Sequence, residues 1–281
     1  DDYVLTANIS GVTTLDVSNK EISDLTGIEA FTALTYLDCN HNKLTSLDVS
    51  ANTALTFLHC YSNQLTSLDV SQNTVLNELW CSDNEFTSLD VSKNTALTVL
   101  DIGGSSFTNL DVSKNTTLTS LGIRATQLTS LDVSSNTALE HLYVNDNQLT
   151  SLDVSSNTAL ITLWCQDNQL TYLNMRNGIT DAWSAHDWSG FNATNNPNLT
   201  CIEVLDPAWA TENFTSAKEN IDAGVTFTYI CGVDLDGVST YNNNGIKAIT
   251  FNVELPVHSL ADTDISLGFW KSGAENHECT G

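Results

Sequence analysis

Apolar residues recur along most of the chain at a fixed interval. Leucine returns every 21 residues from Leu34 to Leu160. Each interval holds two similar halves of the form L-x-x-L-x-(C/V/I)-x-x-N, one beginning at Leu34 as LTYLDCNHN and one at Leu44 as LTSLDVSAN. Seven consecutive intervals of this kind identify a repeat protein, in which each turn buries its leucines against the neighbouring turns.

Apolar and polar positions alternate within each half, which predicts a short β-strand. In YLDCN, Leu37 and Cys39 point into the core and the residues beside them point outward. Because both halves follow this pattern, we expect strands on both sides of a weakly curved solenoid with little helix. Two columns of asparagine close the turns, and we expect both to form the same hydrogen-bonded ladder. The columns are Asn42, Asn63, Asn84, Asn147 and Asn168, and Asn52, Asn73, Asn94, Asn115, Asn136 and Asn157.

The two-half repeat resembles the nested 21-residue leucine-rich repeats of bacterial secreted and surface proteins, the IRREKO class. The residues from Val12 to Leu34 resemble one internalin-type repeat. The resemblance implies a leucine-rich-repeat, right-handed superhelix of mostly short parallel strands that binds a protein or glycan at a cell surface. It divides the chain into an N-terminal cap with the internalin-like repeat (1–33), seven 21-residue repeats (34–178), a C-terminal cap (179–231) and an appendage or linker of unknown fold (232–281).

The outward positions of the first half differ from turn to turn and carry aromatic and histidine side chains. Flat aromatic surfaces with few charges suit a sugar ring or an apolar patch on a protein. The glycines Gly103, Gly104 and Gly122 are expected to leave a shallow gap between two aromatic groups. The competing interpretations are aromatic drift tolerated by a strand, and a spacer or adhesin stalk with no ligand of its own. The candidate ligand-binding residues are Tyr36, Phe57, His59, Tyr61, Trp80, His141, Tyr143 and Trp164.

The outward positions of the second half instead repeat as Ser-Asp-Ser. Stacked aspartates should repel one another and raise each other's pKa. Either serine and threonine hydroxyls and turn amides satisfy each carboxylate, or pairs of aspartates hold Ca²⁺. We favour the structural ladder, so we expect no cofactor. The threonine residues also form regular files, so an ice-binding surface is a minor alternative. The charged file of aspartates argues against it. The file begins at Asp16 and continues through Asp48, Asp69, Asp90, Asp111, Asp132 and Asp153.

The charge balance limits the classes of partner that the chain can bind. The chain has 9 basic and 34 acidic residues and a net charge of −25. This argues against nucleic acid and anionic membranes, which both require basic residues. The sequence has no apolar run of the roughly 20 residues that span a membrane. It also has no G-x-S-x-G, H-E-x-x-H, phosphate-loop or Cys-x-x-Cys motif. We expect a monomeric, non-enzymatic protein, secreted or on a bacterial surface, that binds a protein or carbohydrate.

Four cysteines occupy one core position of the repeat that is elsewhere isoleucine or valine. Interchange with aliphatic residues predicts buried free thiols. The resemblance implies a different role for Cys201 and Cys231, which would form a disulfide that closes the C-terminal cap. Cys279 has no assigned partner. The four repeat cysteines are Cys39, Cys60, Cys81 and Cys165.

The repeat pattern loosens after Met175. Trp183, Trp188 and Trp209 are expected to cover the end of the core. The segment from Ala210 to Ile221 reads as a short helix with Thr211 as its N-cap.

Overall fold

The computed structural model describes residues 9–179 and 190–231. The predictions for Trp183, Trp188, residues 232–281 and Cys279 concern positions outside these ranges. The described residues form the predicted leucine-rich-repeat solenoid of short parallel strands. Helix is limited in the repeats, as expected, to a short 3-10 turn at Ile28–Ala30.

The first halves of the repeats build one nine-stranded parallel sheet. Each strand lies beside the strand of the next turn without any shift, so that Leu37 lies opposite Leu58 and Leu58 opposite Leu79. The 21-residue period therefore becomes a straight column in space. In order across the sheet the strands are β1 (Thr14–Asp16), β2 (Tyr36–Asp38), β3 (Phe57–His59), β4 (Glu78–Trp80), β5 (Val99–Asp101), β6 (Ser120–Gly122), β7 (His141–Tyr143), β9 (Thr162–Trp164) and β11 (Gly190–Asn192).

The core is a continuous stack of leucines with the four cysteines among them. Leu37, Leu58 and Leu79 are completely buried, and burying a leucine side chain stabilises the fold by about 1.5–3 kcal/mol. The predicted free thiols are confirmed, since Cys39, Cys60, Cys81 and Cys165 are all buried and unbonded. Burial raises the pKa of the Cys39 thiol to about 12 and that of the Cys60 thiol well above its ordinary value.

The two asparagine columns differ in their hydrogen bonds, contrary to the expectation that they act alike. In the first column, Asn84 Oδ1 accepts the Leu65 N–H, and its Nδ2 donates to three carbonyl oxygens. In the second column, Asn94 Nδ2 donates to the Val70 and Asn73 carbonyls. Its buried Oδ1 accepts no hydrogen bond from the described part of the chain. The first column is therefore the better satisfied of the two.

Strands on the second side are confined to the C-terminal part of the array, so the expectation of strands along both sides is wrong for the earlier repeats. Pairing begins where Asn174 takes the place of the next aspartate and donates to Asp153 Oδ2 at 3.1 Å. Like charges that face each other disfavour pairing, and a donor removes that penalty. The four-stranded parallel sheet runs β13 (Thr226–Thr228), β12 (Cys201–Val204), β10 (Tyr172–Met175) and β8 (Ser151–Asp153).

The C-terminal cap contains the helix α1 (Pro207–Asn213) and a 3-10 turn at Ser216–Lys218. The prediction of Thr211 as N-cap is wrong. The helix begins earlier because the Asp206 side chain accepts the Trp209 N–H and Pro207 suits the first turn. Trp209 packs edge-on against the buried Phe214, at 5.2 Å between ring centroids.

The last turn is tied down by a disulfide and a buried carboxylate. The structure places a Cys201–Cys231 disulfide, the pair named from the sequence. Glu203, buried beside it, accepts the Cys231 N–H at 3.0 Å and pairs with Arg176 at 3.2 Å. Tyr172 also donates to Glu203, and burial together with that carboxylate raises the pKa of Tyr172 to about 12.

Candidate functional site

We call the outward side chains of the nine-stranded sheet the variable face. The eight candidate residues all project from strands of this sheet or from the residue positions just after them. Trp80 is the most open of them, with 37% of its surface exposed. The other seven are half-buried. The candidates thus form a packed aromatic layer.

One group, which we call the N-terminal cluster, consists of Tyr36, Phe57, His59 and Trp80. Its ring centroids lie 6.1 Å apart for Tyr36 and Phe57 and 5.5 Å for Tyr36 and His59. His59 in turn lies 5.7 Å from Trp80. The unshifted register explains the Tyr36–Phe57 and His59–Trp80 contacts, because residues 21 positions apart are direct neighbours. Tyr36 and His59 are 23 positions apart and meet diagonally across the two strands. Tyr61 packs edge-on against His41 at 5.1 Å, a contact that the sequence analysis missed.

Asp38 lies within this cluster, with only 13% of its side chain exposed. Its Oδ2 accepts the Tyr36 hydroxyl at 3.5 Å and lies 3.9 Å from His59 Nδ1. Burial, with the charges of Asp38 and Asp16, raises the pKa of Tyr36. Asp16 lies opposite Asp38 in the nine-stranded sheet, so its assignment to the aspartate file of the second side is wrong.

The other group, the C-terminal cluster, consists of His141, Tyr143 and Trp164. His141 and Tyr143 are stacked at 6.3 Å, and Tyr143 meets Trp164 edge-on at 5.2 Å. His141 Nδ1 lies 3.0 Å from Thr162 Oγ1, which holds the imidazole ring in place. The cluster is therefore preorganised by contacts within the protein.

An ion pair occupies the region between the clusters, where the sequence predicted a shallow gap. Arg124 donates to Asp101 Oδ2 at 2.6 Å, and its guanidinium carbon lies 5.9 Å from the centre of the Tyr143 ring. Gly122 makes room for this arrangement, because a Cβ there would lie 3.1 Å from the same carboxylate oxygen. Gly103 is also buried, and a Cβ there would lie 2.8 Å from the Arg124 carbonyl oxygen.

The carboxylates of the aspartate file on the second side are satisfied by neighbouring serines, as the favoured structural ladder predicted. Each carboxylate accepts the N–H of the serine two residues later, as Asp69 does from Ser71 at 2.9 Å. The Ser71 N–H and hydroxyl lower the pKa of Asp69 and outweigh the opposing effect of Asp48 and Asp90. The stacked aspartates therefore do raise the pKa of their neighbour, as predicted, but the net shift of Asp69 is downward because the serine hydrogen bonds dominate.

The described residues include no group of three or more His, Cys, Asp or Glu side chains arranged to hold a metal ion. Calcium binding along the aspartate file, the less favoured alternative, stays untested. No helix in the described ranges is long and apolar enough to cross a membrane.

Comparisons with known proteins agree with this architecture. No protein-family model matches the chain. Internalin J of Listeria monocytogenes is 43% identical over 51 residues, which are 18% of this chain and 6% of that protein. The solved functional domain of InlJ from the same organism is 40% identical, with a TM-score of 0.62, over 71% of this chain and 45% of the solved one. The solenoid is internalin-like.

The internalin likeness is broader than the single N-terminal repeat indicated by the sequence, since the match to InlJ covers 71% of the chain. The InlJ domain is described as including a cysteine ladder, and this chain stacks Cys39, Cys60 and Cys81 on three consecutive turns. Internalin C2 of Listeria monocytogenes shares the fold at 23% identity and a TM-score of 0.55, over 72% of this chain and 84% of its own. The chain spans less than half the length of internalin J and of the solved InlJ chain.

Proposed function

We propose that this chain is a non-catalytic recognition module that binds a partner protein through the variable face. The observation that carries the proposal is the grouping of its exposed and half-exposed aromatic side chains on one rigid sheet. The opposite side repeats the same Ser-Asp-Ser pattern turn after turn. Tyrosine, tryptophan and arginine dominate the energetics of protein interfaces, and all three are present on this face.

Preorganisation supports the same conclusion. His59, Tyr143 and Arg124 are already held by ring contacts or an ion pair. A partner that docks here loses less side-chain entropy on this side of the interface than it would against free side chains. Proteins with leucine-rich-repeat folds do bind partners: a plant receptor kinase ectodomain from Arabidopsis thaliana, 22% identical with a TM-score of 0.56 over 69% of this chain and 30% of its own, was solved in complex with Casparian strip integrity factor 2.

We also propose that the protein acts as a monomer outside the cytoplasm, as a secreted or bacterial surface protein. The internalin relatives support this location. The Cys201–Cys231 disulfide supports it as well, because such bonds persist in oxidising compartments.

A display experiment tests the proposal. The purified chain is screened against a phage-displayed random peptide library and, in parallel, against a glycan array. We expect saturable peptide binding that a Trp80→Ala/Tyr143→Ala double variant loses by tenfold or more. A matched control is Val75→Ala/Ile161→Ala, which removes two exposed apolar side chains outside the variable face and should leave affinity and melting temperature unchanged.

Three outcomes would overturn the proposal. Specific glycans bound through the variable face, with no selected peptide, would replace the protein partner with a carbohydrate. Ligands that bind the double variant as well as the wild type would place recognition elsewhere. The absence of any ligand in both screens would favour a structural spacer.

A further inference from the structure

Trp80 is the point where the aromatic layer opens to solvent. In the register of the sheet it lies between His59 on β3 and Asp101 on β5. Glu78 precedes it by two residues on the same strand and therefore projects from the same side. Carboxylates thus stand within about 5–7 Å of the Trp80 position, one strand spacing or two residues away.

The N-terminal half of the variable face carries negative charge. The outward positions of β1 to β5 include the carboxylates Asp16, Asp38, Glu78 and Asp101, with no lysine or arginine among them. The net charge of the whole chain, which includes these carboxylates, is −25. An acidic field of this kind accelerates and selects the approach of basic partners.

The same face shows how it accommodates a cation. Arg124 lies 5.9 Å from the Tyr143 ring centre while Asp101 binds its guanidinium group at 2.6 Å. An aromatic ring and a neighbouring carboxylate together hold the positive charge. Trp80 and Glu78 supply an aromatic ring and a carboxylate in the same way, on the strand next to that of Asp101. None of the outward positions of β1 to β5 is an arginine or lysine that could cover the indole ring.

We propose that Trp80 and Glu78 form an anchor subsite for a lysine or arginine side chain of the partner protein. The cation lies on the indole ring, and the Glu78 carboxylate pairs with it. This inference rests on the proposed function and specifies the chemistry of the partner: a basic polypeptide surface whose central anchor is a cationic side chain.

A titration followed by nuclear magnetic resonance tests the subsite. The ¹⁵N-labelled chain is titrated with the blocked tripeptide Ser-Arg-Ser and with its citrulline counterpart, which keeps the shape of arginine and lacks the charge. The indole N–H resonance of Trp80 is assigned by its loss in Trp80→Phe. We expect this resonance to move saturably with the arginine peptide and to barely move with the citrulline peptide.

Two variants of equal charge separate local from long-range effects. Glu78→Gln should weaken the arginine peptide about two- to fivefold, the range expected for an exposed cation site. Asp90→Asn changes the net charge equally but lies on the second side of the same turn, so it should leave the affinity nearly unchanged. Three results would overturn the subsite: an equal shift of the Trp80 resonance with both peptides, an equal loss of affinity for the arginine peptide in both variants, or no shift of the Trp80 resonance at all.

The outcome is separable from that of the proposed function. Library ligands that require Trp80 but contain no basic residue would leave the recognition proposal standing and refute the cationic anchor. In the opposite case, the arginine peptide binds at Trp80 but the library ligands bind the double variant as well as they bind the wild type. This result would support the subsite and refute the variable face as the recognition surface.

Discussion

Asn84→Ala should destabilise the solenoid much more than Asn94→Ala, although the two residues hold equivalent places in the two halves of the repeat. Both side chains are buried, with 6% and 0% of their surfaces exposed. Their substitution by alanine therefore removes the same atoms from similar surroundings. The difference arises from which backbone groups keep a partner.

Removal of the Asn84 side chain leaves two buried groups without the one hydrogen bond that they make within the described residues. The Leu65 N–H donates to Asn84 Oδ1, and the Cys81 carbonyl accepts from Asn84 Nδ2. Each unsatisfied buried group costs about 1–3 kcal/mol, so the total is about 2–6 kcal/mol. The Cys60 carbonyl keeps its bond from Asn63 and therefore adds little.

Removal of the Asn94 side chain leaves both of its carbonyl partners with another hydrogen bond. The Val70 carbonyl keeps the Asn73 N–H, and the Asn73 carbonyl keeps the Leu76 N–H. The cost is two hydrogen bonds at about 0.5–1.5 kcal/mol each, or about 1–3 kcal/mol. The substitution also removes the buried Oδ1, for which the described part of the chain supplies no donor.

Urea unfolding followed by far-ultraviolet circular dichroism measures the difference, which we expect to be about 2 kcal/mol in the free energy of unfolding. The slope of that free energy against urea should agree between the variants, which confirms that both unfold the same unit. If Asn94→Ala costs as much as Asn84→Ala, the assignment of the hydrogen bonds to stability is refuted.

Three further predictions concern charge, backbone and cross-link. Hydrogen bonds from serine lower the pKa of five aspartates of the file from the ordinary value of 3.8, namely Asp48, Asp69, Asp90, Asp111 and Asp132. Their stabilisation is complete above that pH and is lost as the pH falls through the lower folded values, so thermal melts from pH 6 to 2 should decline only below about pH 4, and a flat profile would contradict this. Gly104→Ala should cost about 1–2 kcal/mol for its φ of +72° plus a clash with Asp83. Gly178→Ala, at φ +86° and with no atom of the described residues within 4 Å of the new Cβ, should cost the backbone strain alone, and equal losses in urea unfolding would show that the clash relaxes. Cys201→Ser should lower stability by about 3–4 kcal/mol because the disulfide closes a separation of 30 residues, and wild type under reducing conditions should lose the same amount.

Much of the variable face follows from the repeat once the register is known. The eight candidate residues could be named from the sequence because outward positions are those that the leucine period leaves free. The contacts of Arg124 with Asp101 were missed, although their separation of 23 residues, one turn plus two, carries the signal. His41 was missed because it follows the strand, where a change of backbone direction at φ +49° places it beside Tyr61.

The leucine period alone determined the solenoid, the buried leucines and the core location of four cysteines, because these depend only on which residues must leave water. Only the tertiary structure decided how polar groups pair between turns. The structure shows that the two asparagine columns make different hydrogen bonds and that strand pairing on the second side begins where Asn174 lies opposite Asp153. It also shows that Arg124 occupies the predicted gap. Hydrogen bonds and ion pairs depend on distance and direction at the level of an ångström, and a period in the sequence does not encode such geometry.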